Sequence, residues 1–268
     1  MYHSISDDPE TGVHPYFKVC TSPRRFGEQM QWLADQGCRG VTLSEGLAHL
    51  APETEDKEND GGKKPVAITF DDGFRDFATA AFPALQRHGF SATMYLPTAF
   101  VSEERKHFKD RECLTWGEVR ELRNAGAEFG SHTVNHPRLV QLGWPAIEAE
   151  LRDSRTDLEQ RLGAGVDHFA YPYAFPQAEK EFARRFSDLL RTAGYRTNVT
   201  TMIERADSQS DRLALPRLPA NSDDDHELFT AKLAGAYDWM GSPQAVTKAV
   251  ARWVRPGSRP VAIREKSK

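Results

Sequence analysis

The chain has 268 residues, 39% of them hydrophobic and 28% charged, which is material for one sizeable core and an ordinary length for a single α/β barrel domain. Lysine and arginine number 35 against 39 acidic residues, and a net charge of −4 with the cations scattered excludes the basic footprint of a nucleic-acid binder. No apolar stretch approaches the roughly 18 residues of a membrane-spanning helix.

The opening residues, Met1-Tyr2-His3-Ser4-Ile5-Ser6-Asp7-Asp8, hold no apolar signal-peptide core, so the expected compartment is the cytoplasm. Cys20, Cys38 and Cys113 are odd in number and widely spaced, forming neither a disulfide framework nor a CxxC metal pair. Ser22-Pro23 predicts a helix start, with Phe26, Met30 and Leu33 on one face and Gly37 closing it. Residues 40–43 read as a short strand, and Ser44 as the cap of a helix carrying Leu47 and Leu50. Residues 51–64 are a polar loop without periodicity. Residues 65–70 form a strand apolar enough to be buried on both faces. A helix is expected over about 76–88 and a strand over 92–96. Thr115-Trp116-Gly117-Glu118 has the spacing of a capping box and starts a helix ending near Gly126. The strand Glu128-Phe129-Gly130 leads into a histidine-rich turn, and Ile147, Leu151, Leu158 and Leu162 mark a long amphipathic helix. Residues 168–171 read as a strand, and Phe182, Phe186 and Leu189 mark another helix. Strands near 195–200 and 213–218 precede a last helix with Leu228, Leu233 and Tyr237. The expected organisation is one domain over 1–254 followed by a polar tail, 255–268.

Repeated strand–helix units imply a parallel sheet, open or closed into a barrel. Both architectures place their chemistry beyond the C-terminal ends of the strands. Thr69-Phe70-Asp71-Asp72-Gly73 sits at such an end. Adjacent carboxylates there point in different directions, so one can bind a cation while the other handles a proton; the plain alternative is a turn with an N-cap aspartate. Ser131-His132-Thr133-Val134-Asn135-His136-Pro137 follows another strand. Histidines at i and i+4 converge on one metal if the segment turns helically; otherwise they are two surface histidines in a polar turn. One carboxylate with two imidazoles is a catalytic zinc-type ligand set with positions open for water and substrate. His14, His88, His107, His168 and His226 are not read as ligands.

These two motifs resemble the first two of the polysaccharide deacetylases, also called the NodB-homology or carbohydrate esterase 4 family. The likeness extends to Tyr171-Pro172-Tyr173, Leu114-Thr115-Trp116, the Phe26 to Leu50 region and the opening Tyr2-His3, covering about residues 2–240. The resemblance implies a single-domain distorted (β/α)7-type barrel holding one divalent metal ion, most often Zn²⁺. It implies hydrolysis of N-acetyl groups on an acetylated saccharide, an N-acetylglucosamine-like oligo- or polysaccharide. Residue by residue, Asp72, His132 and His136 match the metal ligands, Asp71 the general base, and the Tyr173 position the backbone N–H that holds the oxyanion. Related barrels hydrolyse non-sugar amides or imides, and a carbohydrate-binding pseudoenzyme is the non-catalytic alternative; an intact Asp71 argues against the latter.

The chain departs from the family pattern. The usual Arg-x-Pro-Tyr reads Ala170-Tyr171-Pro172-Tyr173, Ala174 stands where glycine is common, and the late Leu-x-His reads Leu213-Ala214-Leu215-Pro216-Arg217-Leu218-Pro219. Arg217 is the expected substitute for the missing arginine, pairing with Asp71. His3 is the expected acid, since Tyr2-His3 resembles the permuted branch of the family, in which the last strand has become the first. Its strand has only Met1 and Tyr2 ahead of it, so apolar residues upstream of Met1, or a frayed first strand, are expected. Trp116, Trp144, Tyr171, Tyr173 and Trp239 are candidates for stacking on a pyranose ring, with core packing the alternative. The charged stretch 102–112 is either a solvated loop or one wall of a sugar groove.

Overall fold

Each short apolar run is followed by a helix or long crossover, so successive strands return in parallel rather than as hairpins. The computed structural model describes residues 1–50 and 62–240; the expected tail at 255–268 and most of the polar loop at 51–64 lie outside the described residues. The strands are β1 (Ser4–Ile5), β2 (Cys20–Thr21), β3 (Cys38–Val41), β4 (Lys64–Ala67), β5 (Thr69–Phe70), β6 (Thr93–Leu96), β7 (His107–Phe108), β8 (Arg111–Glu112), β9 (Glu128–Ser131), β10 (His168–Ala170) and β11 (Thr197–Val199). The helices are α1 (Pro23–Asp35), α2 (Leu43–His49), α3 (Phe82–Arg87), α4 (Trp116–Asn124), α5 (Trp144–Leu162), α6 (Lys180–Thr192) and α7 (His226–Leu233).

A five-stranded parallel sheet runs β11-β10-β9-β6-β5 and curls into an α/β half-barrel. Its open edges are covered by single pairings. Leu215 bridges Val199 on the β11 side. On the β5 side Tyr2 N–H donates to Thr69 O at 2.8 Å, and Asp71 N–H to Tyr2 O at 3.1 Å. The Met1 ammonium donates to Leu218 O at 2.8 Å, and Ala220 N–H to Met1 O at 3.0 Å. Residues 1–2 thus lie between β5 and the 215–220 segment, and the curled sheet closes through them, which removes the exposed edges of a twisted sheet. β4 and β5 form one run interrupted at Ile68: β3 pairs with its first half and β6 with its second.

The core packs around the N-terminal segment. Tyr2 lies edge-on to Phe26 at 5.1 Å and stacks on Phe70 at 5.4 Å, while Phe70 meets Phe77 at 4.8 Å. Phe26, Met30 and Leu33 of α1 are buried, as their spacing predicts, each contributing about 1.5–3 kcal/mol. Ser22 caps α1 and the Thr115/Glu118 capping box starts α4.

Five elements differ from the sequence reading. The strand expected over 40–43 occupies Cys38–Val41, and Thr42 rather than Ser44 caps α2, because Glu45 completes a capping box with it. The helix expected over 76–88 begins as a π turn, Phe77–Ala81; Pro83 has no N–H for the carbonyl four residues back, and the Phe82 N–H reaches Phe77 O instead. The strand expected over 213–218 is reduced to the pairing at Leu215. The stretch 102–112 contains the antiparallel hairpin β7–β8.

At the opposite end of the sheet from the motif loops, Glu128 clamps three elements. Its Oε2 accepts from Leu43 N–H (3.1 Å), Ser44 N–H (3.3 Å) and the Thr93 hydroxyl (2.5 Å), while Oε1 lies 3.3 Å from His168 Nε2. Burial alone would raise this carboxyl, but His168, Ser44 and Thr93 outweigh it and bring the pKa down to about 2. The unfolded chain protonates Glu128 near 4.5, so the stabilisation is present above that pH and is lost as pH falls toward 2. Glu128→Gln is therefore expected to cost about 1–3 kcal/mol in urea unfolding at pH 7, with the deficit narrowing between pH 4.5 and 3. An equal deficit at both ends of that range would contradict the role of the charge.

Candidate metal and catalytic site

The chain leaves β5 through two left-handed residues, Asp72 (φ 73°) and Gly73 (φ 67°). Aspartate tolerates this region better than most side chains, and a Cβ on Gly73 would lie 2.9 Å from the Leu96 side chain. The turn sends the two carboxylates apart.

Asp71 points at the closing segment of the barrel. Arg217 grips it with both ends of its guanidinium, Nη1 to Oδ1 at 2.7 Å and Nη2 to Oδ2 at 2.8 Å, while Nε donates to Thr200 O at 3.0 Å. Both side chains are buried. Burial opposes the charge of Asp71, yet Arg217, with His132 and His3, holds its carboxyl well below the usual carboxylate range. The Nε2 of His3 lies 3.9 Å from Asp71 Oδ2, with one fifth of its side chain exposed. Burial lowers the His3 pKa against the pull of Asp71 and Asp72.

Asp72 points at the loop after β9. The two histidines of that loop do not lie on a helix: Thr133 (φ 71°) and His136 (φ 53°) are left-handed and reverse the chain. Glu150 of α5 holds the loop, accepting from Val134 N–H at 2.8 Å, Asn135 N–H at 3.0 Å and Asn135 Nδ2 at 2.7 Å. Thr133 Oγ1 accepts from His136 N–H at 2.9 Å. His132 Nδ1 donates to Ala170 O at 2.8 Å, which leaves a lone pair on Nε2. Burial, joined by His136, brings the His132 pKa down to about 3, keeping the ring neutral as a ligand must be.

These three side chains form one buried group. His132 Nε2 and His136 Nε2 are 3.1 Å apart, and Asp72 Oδ1 lies 3.2 Å from His136 Nε2 and 3.7 Å from His132 Nε2. Ligands each about 2.0–2.2 Å from one shared ion are separated by roughly 3–3.6 Å. Asp72 Oδ1 is buried without a hydrogen-bond partner and lies beside the two imidazoles. Distances, neutral imidazole and orphaned oxygen all fit a divalent cation.

Tyr173 (φ 60°) brings its ring to 4.6 Å from His136. Its carbonyl accepts from Thr201 Oγ1, and among the described residues its N–H donates to no other group. Of the other aromatic candidates, Trp116 and Tyr171 are core residues, Trp144 packs on Phe182, and Trp239 is exposed. Only Tyr173 among them lines this group.

Sequence reasoning missed the hairpin. Phe108 packs against His136 at 5.1 Å and Phe100 at 4.2 Å, and Lys109 donates to Asp72 Oδ2 at 2.9 Å. The tip residues Lys109 and Asp110 have φ of 50° and 60°, a turn that asparagine–glycine pairs signal and lysine–aspartate does not. Glu150 was equally invisible, because only the docking of α5 brings it to the loop. Backbone geometry offers a retrospective signal: of the described non-glycine residues with positive φ, all but Glu10 lie on the segments meeting here.

Comparison with known proteins agrees with this geometry. The model of the polysaccharide deacetylase family matches residues 58–197. The Bacillus subtilis protein YxkH is 28% identical over 221 residues, 81% of this chain and 69% of its own length. A poly-β-1,6-N-acetyl-D-glucosamine N-deacetylase of Staphylococcus aureus is 26% identical over 168 residues, 59% of this chain and 55% of that protein, so this match spans little more than half of its length. Among solved structures, the Streptococcus pyogenes deacetylase PplD, in complex with acetate, superposes with a TM-score of 0.70 at 25% identity, covering 87% of this chain and 95% of that one.

Proposed function

We propose, since the chain belongs to the polysaccharide deacetylase family, that it is a metal-dependent hydrolase removing N-acetyl groups from an N-acetylglucosamine-like oligo- or polysaccharide. The observation that carries this reading is the Asp72–His132–His136 group set beside an ionised, arginine-held Asp71. The activity of the staphylococcal relative supports the substrate class.

In this reading Asp72 Oδ1, His132 Nε2 and His136 Nε2 hold the ion, with Zn²⁺ the best match to one carboxylate and two imidazoles. When bound, such an ion supplies Lewis acidity, easing deprotonation of the attacking water and polarising the acetamide carbonyl. Asp71 receives the proton of the attacking water. Arg217 keeps Asp71 charged and fixes the direction of its lone pairs. The Tyr173 N–H donates to the oxyanion that develops on the carbonyl oxygen as water adds to the carbon. His3, 3.9 Å from Asp71 and partly open to solvent, takes up the proton that Asp71 has received and passes it to the departing amine, which cannot leave as an anion.

Acetate release from N-acetylglucosamine oligomers tests this. Release should be lost after chelation and restored by one equivalent of Zn²⁺. Protein that binds the ion yet frees no acetate from any N-acetylated saccharide would instead favour a non-sugar amide or a binding role.

A further inference from the structure

We infer that Lys109 is a positioning residue that competes with the metal for Asp72, reserving one carboxylate oxygen and keeping the ion exchangeable. The inference rests on the metal-site reading above and concerns a residue outside its ligand set. Asp72 is divided between two cation positions. Oδ1 faces the two imidazoles without a hydrogen bond, whereas Oδ2 accepts from the Lys109 ammonium at 2.9 Å. The Asp72 side chain is 1% exposed and that of Lys109 41%, so an ammonium reaching in from the surface balances a buried carboxylate.

The hairpin is built to deliver this ammonium. Phe108 is wedged among Phe74, Phe100 and His136. On the far strand, Arg111 donates to Ser4, Ser6, Asp8 and Cys20, and Glu112 is paired with Arg75. The Lys109 ammonium also lies 4.7 Å from the Phe108 ring and 5.7 Å from the Tyr173 ring. Two successive left-handed non-glycine residues at the tip are unfavourable as turn chemistry, and strain of this kind persists where the surroundings impose it.

The consequence for the metal has a definite sign. Without an ion, Lys109 is the strongest donor to Asp72; with one bound at Oδ1, two like charges share the carboxylate and repel. The ammonium therefore stabilises the ion-free site more than the loaded one and weakens binding. It also keeps Oδ2 from becoming a second ligand oxygen.

The test is Lys109→Met, which retains the chain length without the charge. Isothermal titration of metal-stripped protein with Zn²⁺ should show about tenfold or tighter binding than wild type, and release to a chelator should slow correspondingly. The d–d bands of the Co²⁺-substituted variant should weaken as Oδ2 joins the coordination. Lys109→Arg should return the affinity toward wild type, and Lys106→Met, whose ammonium binds Ala99 O on the same loop, should leave it unchanged. Wild-type affinity and spectrum in Lys109→Met, or weaker binding, would overturn the inference while leaving the metal site standing. Failure of both wild type and variant to bind any divalent ion would remove the metal-site reading and this inference with it.

Discussion

Asp71→Asn is expected to lower acetate release by about 10²–10⁴-fold while the protein still binds its divalent ion. The asymmetry follows from the turn at Asp72 and Gly73, which sends neighbouring carboxylates to different partners. Asp71 engages Arg217 and faces His3, whereas Asp72 faces the imidazoles. Asparagine keeps one oxygen for the guanidinium but cannot accept a proton at neutral pH. Asp72→Ala should instead lose ion binding and turnover together, since it removes one of three ligands. Titration with Zn²⁺ beside the acetate assay separates the two cases. Near-normal turnover by Asp71→Asn would require a different base.

Replacing Arg217 by Met should damage fold and chemistry at once. Asp71 would remain a charged carboxylate at 2% exposure without its bidentate partner, and stranding a buried charge in this way costs about 3–5 kcal/mol. For a chain of this size that is a fall in melting temperature of roughly 6–20 °C. Arg217 is also the leading cause holding the Asp71 carboxyl below the usual range against burial. Its removal raises that pKa, so the acidic limb of kcat/KM should move to higher pH. The double variant Arg217→Met/Asp71→Asn should recover part of the lost stability, because it carries no stranded charge. A single variant melting within a degree of wild type would show that the pair is not the strut described.

Much of the candidate site is legible in order along the chain. Asp71 and Asp72 follow β5, and His132 follows β9; in a parallel sheet every strand ends on the same side, so strand-end residues share one rim whatever the intervening length. Arg217 follows the last strand pairing at Leu215 and reaches Asp71 for the same reason. Helix caps are legible where one residue offers itself for one turn, as at Ser22 and Thr115, and less so before α2, where Thr42 and Ser44 are both cap-forming residues and Glu45 decides for Thr42 by completing its capping box.

The sequence by itself therefore determined the α/β class, the parallel sense of the sheet and the sharing of one rim by the two motifs, because periodicity, capping and strand order are local properties. Tertiary structure alone decided how those residues point. The histidines converge through a left-handed loop held by Glu150, not through a helix. Residues 1–2 join the edge of the curled sheet at β5 to the 218–220 segment. Lys109 arrives at Asp72 on a hairpin whose tip carries no hairpin signal. Each of these depends on contacts between residues far apart in the chain, where orientation is set by packing and by the need of buried polar groups for partners.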